Sequence, residues 1–327
     1  MPTPNKAEEA DGRGNITGAA IRRVGVIGTG VIGTSWAAYF LARGLHVTAT
    51  DPAPQAEAAL RSRIAALLPS LGGATGDWQT RLRFTVDPAD AVHDAHFVQE
   101  NGPERLEVKR ALYATLDAAT PSGTVIATSS STLLISDVQQ GCALHPERVV
   151  LGHPFNPPHL IPLVEVVGGE QTAEWAIQTA LDFYTAIGRK PIRLRREIFG
   201  HIGNRLQAAL WREAYHLVEQ DVASVTDIDT AISHGPGLRW ALLGPFLNLH
   251  LSGGEGGITH LLAHLGPAIE AIWRDLGQTS LSPALQQAVI AGVGDELAGR
   301  DLTKLVAQRD VLLLALLRQK SEADALP

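Results

Sequence analysis

Residues 24–33 read Val-Gly-Val-Ile-Gly-Thr-Gly-Val-Ile-Gly, an apolar run that passes into three spaced glycines. The apolar run predicts a buried strand, and the residues that follow predict a helix over 34–43. A G-x-G-x-x-G pattern between a strand and a helix is typical of folds that bind dinucleotides. The first glycine permits a tight turn, the second lets a pyrophosphate approach the backbone, and the third lets the helix pack closely on the strand.

A second predicted strand, residues 45–50, ends at Asp51, which lies eighteen residues after Gly33. In dinucleotide-binding folds a carboxylate in this place binds the ribose hydroxyls of the adenosine half. Asp51 would also repel a phosphate on that ribose, and the following Pro52 and Ala53 offer no arginine, so the pattern predicts NAD rather than NADP. A glycine turn beside an unrelated surface aspartate is the alternative. The residues predicted to bind NAD in this segment are Gly28, Thr29, Gly30, Val31, Ile32, Gly33 and Asp51.

Strands and helices continue to alternate up to about residue 199. Helices are predicted over 53–68 and 104–118, and apolar runs predict further strands at 96–99, 124–128, 149–151, 163–167 and 191–194. Such alternation predicts a parallel sheet with helices on both faces. After Phe199 the pattern becomes helical, and over 204–219 the apolar residues recur at helical spacing along one face.

The predicted fold class is therefore α/β, a doubly wound Rossmann-type sheet followed by an all-helical C-terminal domain. We expect a disordered tail over 1–20, an NAD-binding domain over 21–199 and a helical domain over 200–327. The helical domain is expected to bury its apolar face on the first domain and on a second subunit, which predicts a homodimer. Substrate binding is expected to involve the same helical domain.

Charge and composition argue against several kinds of partner. The chain of 327 residues has a formal net charge of −7, whereas nucleic acids and anionic membranes reward a basic surface. Its 45% apolar residues suffice for a sizeable core, but no apolar run reaches the ~18 residues of a membrane span. The single cysteine, Cys142, cannot form an internal disulfide, which together with a polar N-terminal segment predicts a cytoplasmic protein. No metal ion is expected.

Three segments place polar side chains in or just after predicted strands. Residues 128–132 read Thr-Ser-Ser-Ser-Thr, and His153 follows the strand at 149–151. Glu165 lies inside the apolar run at 163–167, where an unpaired carboxylate would be costly to bury. A histidine is the natural partner for it, because such a pair keeps the imidazole in one tautomer. We therefore predict that His153 and Glu165 lie in contact.

From about Arg23 into the C-terminal domain, the sequence resembles the 3-hydroxyacyl-CoA dehydrogenase superfamily. The motifs that carry the resemblance are specific and follow one another in order. They are the glycine loop, the serine-rich strand end, H-x-x-N-P at 153–157, a glutamate twelve residues after the histidine, and Gly200-x-x-x-Asn204-Arg205. The resemblance implies an NAD-dependent enzyme that interconverts a 3-hydroxy group and a 3-keto group.

The resemblance also implies a role for individual residues. His153 corresponds to the catalytic acid/base and Glu165 to the acid that orients it, while Ser131 and Asn204 correspond to catalytic residues that contact the substrate oxygen. A histidine suits the removal of a hydroxyl proton as hydride leaves the carbon, because its pKa lies near the working pH. Three further residues are implied to contact NAD, namely Glu104, Lys109 and Asn156.

The segments that would bind the substrate differ from those of acyl-CoA enzymes. Residues 55–83 contain four arginines and no lysine, whereas the acyl-CoA enzymes carry a lysine-rich helix there that suits the phosphates of CoA. Residues 237–246 resemble the branch of the superfamily that acts on small free acids such as carnitine and L-gulonate. Residues 251–257 and 299–310 are closer to the carnitine enzymes of this branch, so carnitine is the first candidate and L-gulonate the second. In this branch Arg239 would bind the substrate carboxylate and Trp240 would face a trimethylammonium group. An ion pair across an interface and a core position are the alternatives for these two residues.

Two other functions stay open on the sequence. One is a short-chain 3-hydroxyacyl-CoA dehydrogenase, and the other is a non-catalytic NAD-binding protein built on the same fold. The presence of Ser131, His153, Glu165 and Asn204 together favours an enzyme, because a binding protein has no chemical need for them. The leading prediction is an oxidoreductase that transfers a hydride between NAD and the 3-hydroxyl of a small free 3-hydroxy acid.

Overall fold

The structure, a computed structural model, describes residues 21–72 and 76–326. The tail predicted over 1–20 lies outside the described residues. Contacts divide the chain into two units, with the boundary between Asn204 and Arg205. The predicted boundary after residue 199 lies five residues earlier.

The first unit is built around one sheet. Its strands are β1 (Arg23–Ile27), β2 (His46–Thr50), β3 (Leu82–Thr85), β4 (Phe97–Glu100), β5 (Val125–Thr128), β6 (Val149–Pro154), β7 (Leu163–Gly168) and β8 (Lys190–Arg193). Its helices are α1 (Val31–Ala42), α2 (Ala56–Leu67), α3 (Trp78–Arg81), α4 (Pro88–Val92), α5 (Leu106–Ala119), α6 (Ile135–Gln139) and α7 (Glu174–Ala186).

The second unit is helical throughout the part that the structure describes. A single helix, α8 (Gly203–Glu219), begins just before the boundary and continues into this unit. The helices that follow are α9 (Val225–His234), α10 (Pro236–Leu242), α11 (Pro245–Ser252), α12 (Gly257–Asp275), α13 (Pro283–Leu297) and α14 (Leu302–Glu322). No helix among the described residues is both long enough and apolar enough to cross a membrane.

The strands of the sheet lie in the order β3-β2-β1-β4-β5-β6-β7-β8. Six of the seven pairings are parallel, and the pairing of β6 with β7 is antiparallel. The predicted doubly wound sheet and the helical C-terminal region are confirmed, and the sheet is parallel as predicted except at the pairing of β6 with β7. The prediction also lacks β3, whose four residues, Leu-Arg-Phe-Thr, are too few and too mixed to form a recognisable apolar run.

Helices cover both faces of the sheet and bury two separate apolar clusters. One face packs against α1, α2 and α7, where the rings of Trp36 and Phe40 stack with centroids 5.1 Å apart. The other face packs against α4, α5 and α6 and buries Tyr113, Leu116 and Val138. Because the central strands are buried on both faces, their carboxyl ends form a rigid edge on which polar side chains can be placed.

Candidate active site

The glycine loop between β1 and α1 has the geometry that the sequence pattern predicts. Gly28 has a φ of +84°, and a Cβ atom there would lie 2.8 Å from the carbonyl oxygen of Asn101. A Cβ atom on Gly33 would overlap the carbonyl oxygen of Gly28, so this glycine is needed for helix–strand packing. At Gly30, in contrast, a Cβ atom would meet no heavy atom of the described residues within 4 Å. The loop is therefore closed at its two outer glycines and open at the middle one, where a pyrophosphate would approach.

Asp51 holds the glycine loop in place through hydrogen bonds. Its Oδ2 atom accepts hydrogen bonds from the backbone N–H and the hydroxyl of Thr29, at 2.8 and 3.1 Å, and Oδ1 accepts one from Ala53 at 2.9 Å. Next to it, a cavity of about 580 Å³ is lined in part by Pro52, Phe84 and Val86. A carboxylate beside an open, partly apolar cavity suits the ribose and adenine of a dinucleotide.

The start of α1 completes a site that fits NAD. Its first turn contains no acidic residue, and Val31 at its first position is 66% exposed. The first N–H groups of a helix lack partners within the helix and favour an anion. The open space at Gly30, the exposed start of α1 and the cavity lined by Pro52 fit the pyrophosphate and adenosine parts of NAD.

The structure brings His153 and Glu165 together across the antiparallel pair of strands. The register of β6 on β7 sets them directly opposite each other, and His153 Nδ1 lies 2.8 Å from Glu165 Oε2. The two residues are 4% and 0% exposed. Because an ionised carboxylate only accepts, Nδ1 carries the proton, and the lone pair of Nε2 faces the Ser131 hydroxyl at 3.2 Å. His153 is thereby prepared to act as a base through Nε2.

The other oxygen of Glu165 is held by residues 200–204, a turn that leads into the first residues of α8. Its Oε1 atom accepts backbone hydrogen bonds from Ile202 at 2.8 Å and from Gly203 at 3.0 Å. Burial alone would raise the pKa of Glu165, but the hydrogen bonds from His153 and from the two backbone N–H groups outweigh it and hold the pKa below its ordinary value. Glu165 therefore stays ionised and can stabilise a positive charge on His153.

Residues 129–132, which we call the serine loop, are held by Glu104. One oxygen of this carboxylate accepts hydrogen bonds from the hydroxyl of Ser130 at 2.7 Å, from the N–H of Ser131 at 2.9 Å, and from the N–H and hydroxyl of Thr132 at 2.8 and 2.9 Å. Although burial raises the pKa of Glu104, these bonds lower it below its ordinary value. Glu104 thus fixes the loop that carries Ser131, a role that the resemblance does not imply.

Asn204 contacts the serine loop, whereas Lys109 is buried and paired with Glu100. The Asn204 amide donates to the backbone carbonyl of Ser131 at 3.3 Å. Lys109 is 1% exposed, and its Nζ atom lies 2.8 Å from both carboxylate oxygens of Glu100. The structure therefore shows Lys109 in a buried ion pair, and its contact with NAD stays a prediction. Asn156 lies exposed, three residues beyond His153.

Arg239 and Trp240 belong to the second unit and are not among the residues that the first unit brings together. They are neighbours on α10, and both are exposed, Trp240 by 45%. Their role in substrate binding stays a prediction.

Sequence reasoning missed two buried polar residues of this region. His201 donates to the carbonyl of Ser130 at 3.1 Å, and Glu100 accepts from the Thr128 hydroxyl at 2.6 Å besides binding Lys109. A signal exists for each. Glu100 is a carboxylate at the end of a predicted strand, and His201 lies inside the Gly200-x-x-x-Asn204-Arg205 motif.

Comparisons with known proteins identify the family of the chain. The model of the 3-hydroxyacyl-CoA dehydrogenase NAD binding domain matches residues 23–198, and that of the 3-hydroxyacyl-CoA dehydrogenase C-terminal domain matches residues 200–287. The chain is 49% identical to an L-carnitine dehydrogenase of Nocardiopsis dassonvillei over 94% of each chain. It is 52% identical to an L-carnitine dehydrogenase of Streptomyces griseus over 91% of this chain and 90% of the relative.

Solved structures show the same architecture. The crystal structure of 5-formyl-3-hydroxy-2-methylpyridine 4-carboxylic acid 5-dehydrogenase, an NAD⁺ dependent dismutase, matches with a TM-score of 0.79 and 32% identity over 92% of this chain and 99% of that one. A 3-hydroxybutyryl-CoA dehydrogenase of Escherichia coli matches with a TM-score of 0.64 and 30% identity over 83% of this chain and 57% of that one. The chain therefore belongs to the 3-hydroxyacyl-CoA dehydrogenase family and is an NAD-dependent oxidoreductase that acts on the hydroxyl group of a 3-hydroxy acid.

Proposed function

We propose that the substrate is a small free 3-hydroxy acid with a quaternary ammonium group, with L-carnitine as the first candidate. The main support comes from two relatives named L-carnitine dehydrogenase. The chain is about 50% identical to each of them, over at least nine tenths of both chains. L-Gulonate is the second candidate acid, and a 3-hydroxyacyl-CoA thioester is the alternative. The dehydrogenase of a pyridine carboxylic acid named above adds support, since its name also describes a free acid.

The side chains of the first unit account for the movement of the proton. His153 Nε2 takes the proton of the 3-hydroxyl, and Glu165 stabilises the resulting imidazolium through Nδ1. Ser131 Oγ, 3.2 Å from Nε2, and the Asn204 amide hold the substrate oxygen as its charge changes. NAD, when bound, supplies the acceptor for the hydride that leaves carbon 3. The product is the corresponding 3-keto acid.

The arginines after β2 support a substrate without CoA. Arg61 binds Glu57 at 2.8 Å and Arg83 binds Asp90 at 2.7 Å, each through its guanidinium group. Arg81 donates to the carbonyl oxygen of Leu41 at 3.2 Å. Three of the four arginines in residues 55–83 are thus engaged within the chain, which leaves little free positive charge for the phosphates of CoA.

Arg239 and Trp240 are the residues that we propose for recognition of the substrate's two charged ends. No acidic side chain among the described residues pairs with the Arg239 guanidinium, so it is available for a carboxylate. The exposed ring of Trp240 suits a quaternary ammonium group, which binds to the face of an aromatic ring. We expect Arg239→Ala to raise the KM for the acid while the Kd for NADH stays unchanged.

We further propose that the protein is a cytoplasmic homodimer. In the described part of the second unit, Leu261 and Leu285 are the only hydrophobic side chains in the buried core. Large apolar side chains are exposed on most of its helices, including Trp211, Phe246, Trp273, Val311 and Leu312. Clustered apolar side chains on a surface mark a site of interaction with a partner. A second copy of the chain is the partner that we propose.

Spectrophotometry of NADH formation tests the substrate. The purified protein is assayed with NAD and a panel of L-carnitine, D-carnitine, L-gulonate, 3-hydroxybutyrate and 3-hydroxybutyryl-CoA. We expect the highest kcat/KM with L-carnitine and little turnover of the thioester. A preference for the thioester would replace this proposal by the acyl-CoA alternative. Binding of NADH without turnover of any panel member would favour a non-catalytic protein.

A further inference from the structure

The turn at 200–204 contains a buried histidine that the proton transfer described above does not use. His201 is 2% exposed, and its backbone adopts the left-handed conformation, with a φ of +53°. Residues other than glycine seldom adopt this conformation, although histidine does so more often than most. Such residues persist where the surrounding structure holds them, and they cluster at functional sites.

The contacts of His201 define its tautomer. Nε2 lies 3.1 Å from the backbone carbonyl oxygen of Ser130, and a carbonyl only accepts, so Nε2 carries the proton. Nδ1 is buried and has no hydrogen-bond partner among the described residues, so a second proton would find no acceptor there. Burial and the neighbouring His153 lower the pKa of His201, although the Ser130 carbonyl, Glu165 and Glu104 act in the opposite direction.

His201 and Asn204 tie the serine loop to the turn at two successive carbonyls. His201 holds the carbonyl of Ser130, and Asn204 holds that of Ser131 at 3.3 Å. The same turn donates two backbone N–H groups to Glu165, the partner of His153. The loop that bears the Ser131 hydroxyl and the carboxylate that orients the base are therefore fixed from one short segment. The ring centroids of His201 and His153 lie 5.1 Å apart.

We propose that His201 is a positioning residue for the reaction: its Nε2–H group holds the Ser130 carbonyl so that the Ser131 hydroxyl stays within hydrogen-bond reach of His153 Nε2. The neutral ring also places no positive charge next to the imidazole that must accept one. A misplacement of reacting groups by about 1 Å can cost about 100-fold in rate, so one anchoring hydrogen bond at this place matters. The inference rests on the reaction class of the family and not on the identity of the acid.

Substitutions of His201 test this role through a split between turnover and binding. We expect His201→Phe, which keeps a ring but removes the donor, to lower kcat by about 10- to 100-fold. The Kd for NADH, measured by fluorescence, should change little. His201→Gln carries its amide nitrogen in place of Nε2, so it should restore most of the lost kcat. If the phenylalanine variant folds poorly, His201→Asn replaces it in this test. Asparagine tolerates the left-handed backbone but is too short to reach Ser130, so we expect it to lower kcat to the same extent.

His145 provides a matched control, because it precedes β6 and therefore lies at the opposite end of the strand from His153. His145→Phe should leave kcat unchanged. Full kcat in the phenylalanine and asparagine variants would overturn the proposal. So would a glutamine variant that is stable but as slow as the phenylalanine variant.

A second measurement needs no substrate and so separates this inference from the proposed function. In protein with ¹⁵N-labelled histidine, NMR should show His201 neutral, with the proton on Nε2, at neutral pH. The His201→Phe variant identifies its signals. A proton on Nδ1, or a charged ring at neutral pH, would contradict the hydrogen bond to Ser130 even if no acid of the panel were oxidised.

Discussion

His153 uses its two ring nitrogens for different purposes. Nδ1 contacts Glu165 at 2.8 Å, and Nε2 faces the Ser131 hydroxyl at 3.2 Å. The proposed reaction requires the substrate oxygen to bind beside Nε2. A carboxylate–imidazole–hydroxyl arrangement of this kind fixes the tautomer before the substrate arrives. The ring is 4% exposed, so little water competes for the proton.

Removal of this imidazole should affect chemistry and leave cofactor binding intact. We expect His153→Ala to lower kcat by about 10²–10⁴-fold, the usual contribution of a positioned acid/base. The Kd for NADH should stay within about twofold, because the glycine loop and Asp51 are untouched. Stopped-flow and fluorescence titration measure the two quantities. A variant that has lost NADH binding to the same extent would mean that His153 is not the base.

Glu165 should make stability depend on pH in a defined direction. Its pKa is lower in the folded protein than its ordinary value of 4.5, so its contribution is fully present above about pH 4.5 and is lost as the pH falls through the folded pKa. Glu165→Gln should therefore lower the free energy of unfolding at pH 7 by about 1–3 kcal/mol. The difference from the wild type should shrink at about pH 4 and below, in urea titrations followed by tryptophan fluorescence. A constant difference across this range would contradict the pKa assignment.

The contacts of single residues were predictable where a charged side chain lies in an apolar run, because burying it without a partner is costly. Glu165 lies in an apolar run, where a buried carboxylate needs a partner. His153, twelve residues earlier, is a suitable one. The bond between His201 and Ser130 was not predictable, because it depends on a left-handed turn that no residue type demands at position 201. The buried ion pair of Lys109 with Glu100 was not predictable either. The two residues are nine positions apart, and the sequence does not show that both side chains point into the core.

Among the elements, β6 and β7 show that an apolar pattern predicts a strand but not its direction in the sheet. Both strands are apolar over most of their length, which predicts burial but carries no information on direction. Alternation with helices favoured a parallel pair, yet only a loop joins these two strands, and a chain that returns without a crossover helix must pair antiparallel. The missing helix between 154 and 163 was the available signal.

The three glycines of the loop between β1 and α1 should differ in their response to substitution. Gly30 has a φ of −61° and open space around its would-be Cβ, so Gly30→Ala should fold normally. We expect it to raise the Kd for NADH by about tenfold, or about 1.4 kcal/mol, because the methyl group occupies the approach of the pyrophosphate. Isothermal titration calorimetry measures this change.

Gly33→Ala serves as the contrasting variant at the same loop. Its Cβ would overlap the Gly28 carbonyl oxygen, so it should lower stability by about 1–3 kcal/mol in urea titrations, as overpacking does. If both variants lost stability equally, or if Gly30→Ala bound NADH normally, the separate roles of the glycines would be wrong.

For the whole molecule, the two-part organisation followed from the change of pattern near residue 199, but the boundary did not. Helix α8 begins at Gly203 and runs to Glu219, so the contacts of its first residues belong to the sheet-based unit. The sequence pattern shows where helical spacing starts, but it does not show which unit the first turn of α8 contacts. The exposed apolar surface of the second unit could not be predicted either, because helical spacing alone does not show what covers each face.

The proposed homodimer predicts a mass in solution and a way to change it. Light scattering should give about twice the chain mass of 34.8 kDa. Val311→Asp combined with Leu312→Asp places charges at two apolar side chains that are 66% and 70% exposed on α14. We expect this double variant to shift the mass towards one chain, because a buried unpaired charge is costly.

Gln287→Asp on α13 is the control, since it adds a charge at a polar exposed position and should leave the mass unchanged. A single-chain mass for the wild type would contradict the dimer.

The turn at 200–204 limits how this protein can be recombined with its relatives. A fragment that ends at residue 199 would keep the sheet and the glycine loop, yet it would lack Ile202, Gly203 and Asn204, which bind Glu165 and the serine loop. Such a fragment would retain affinity for the nucleotide and be a poor catalyst. Chimeric enzymes made to exchange substrate preference should therefore be joined after Asn204. Glu165 and the serine loop then keep the residues of the turn at 200–204 that bind them.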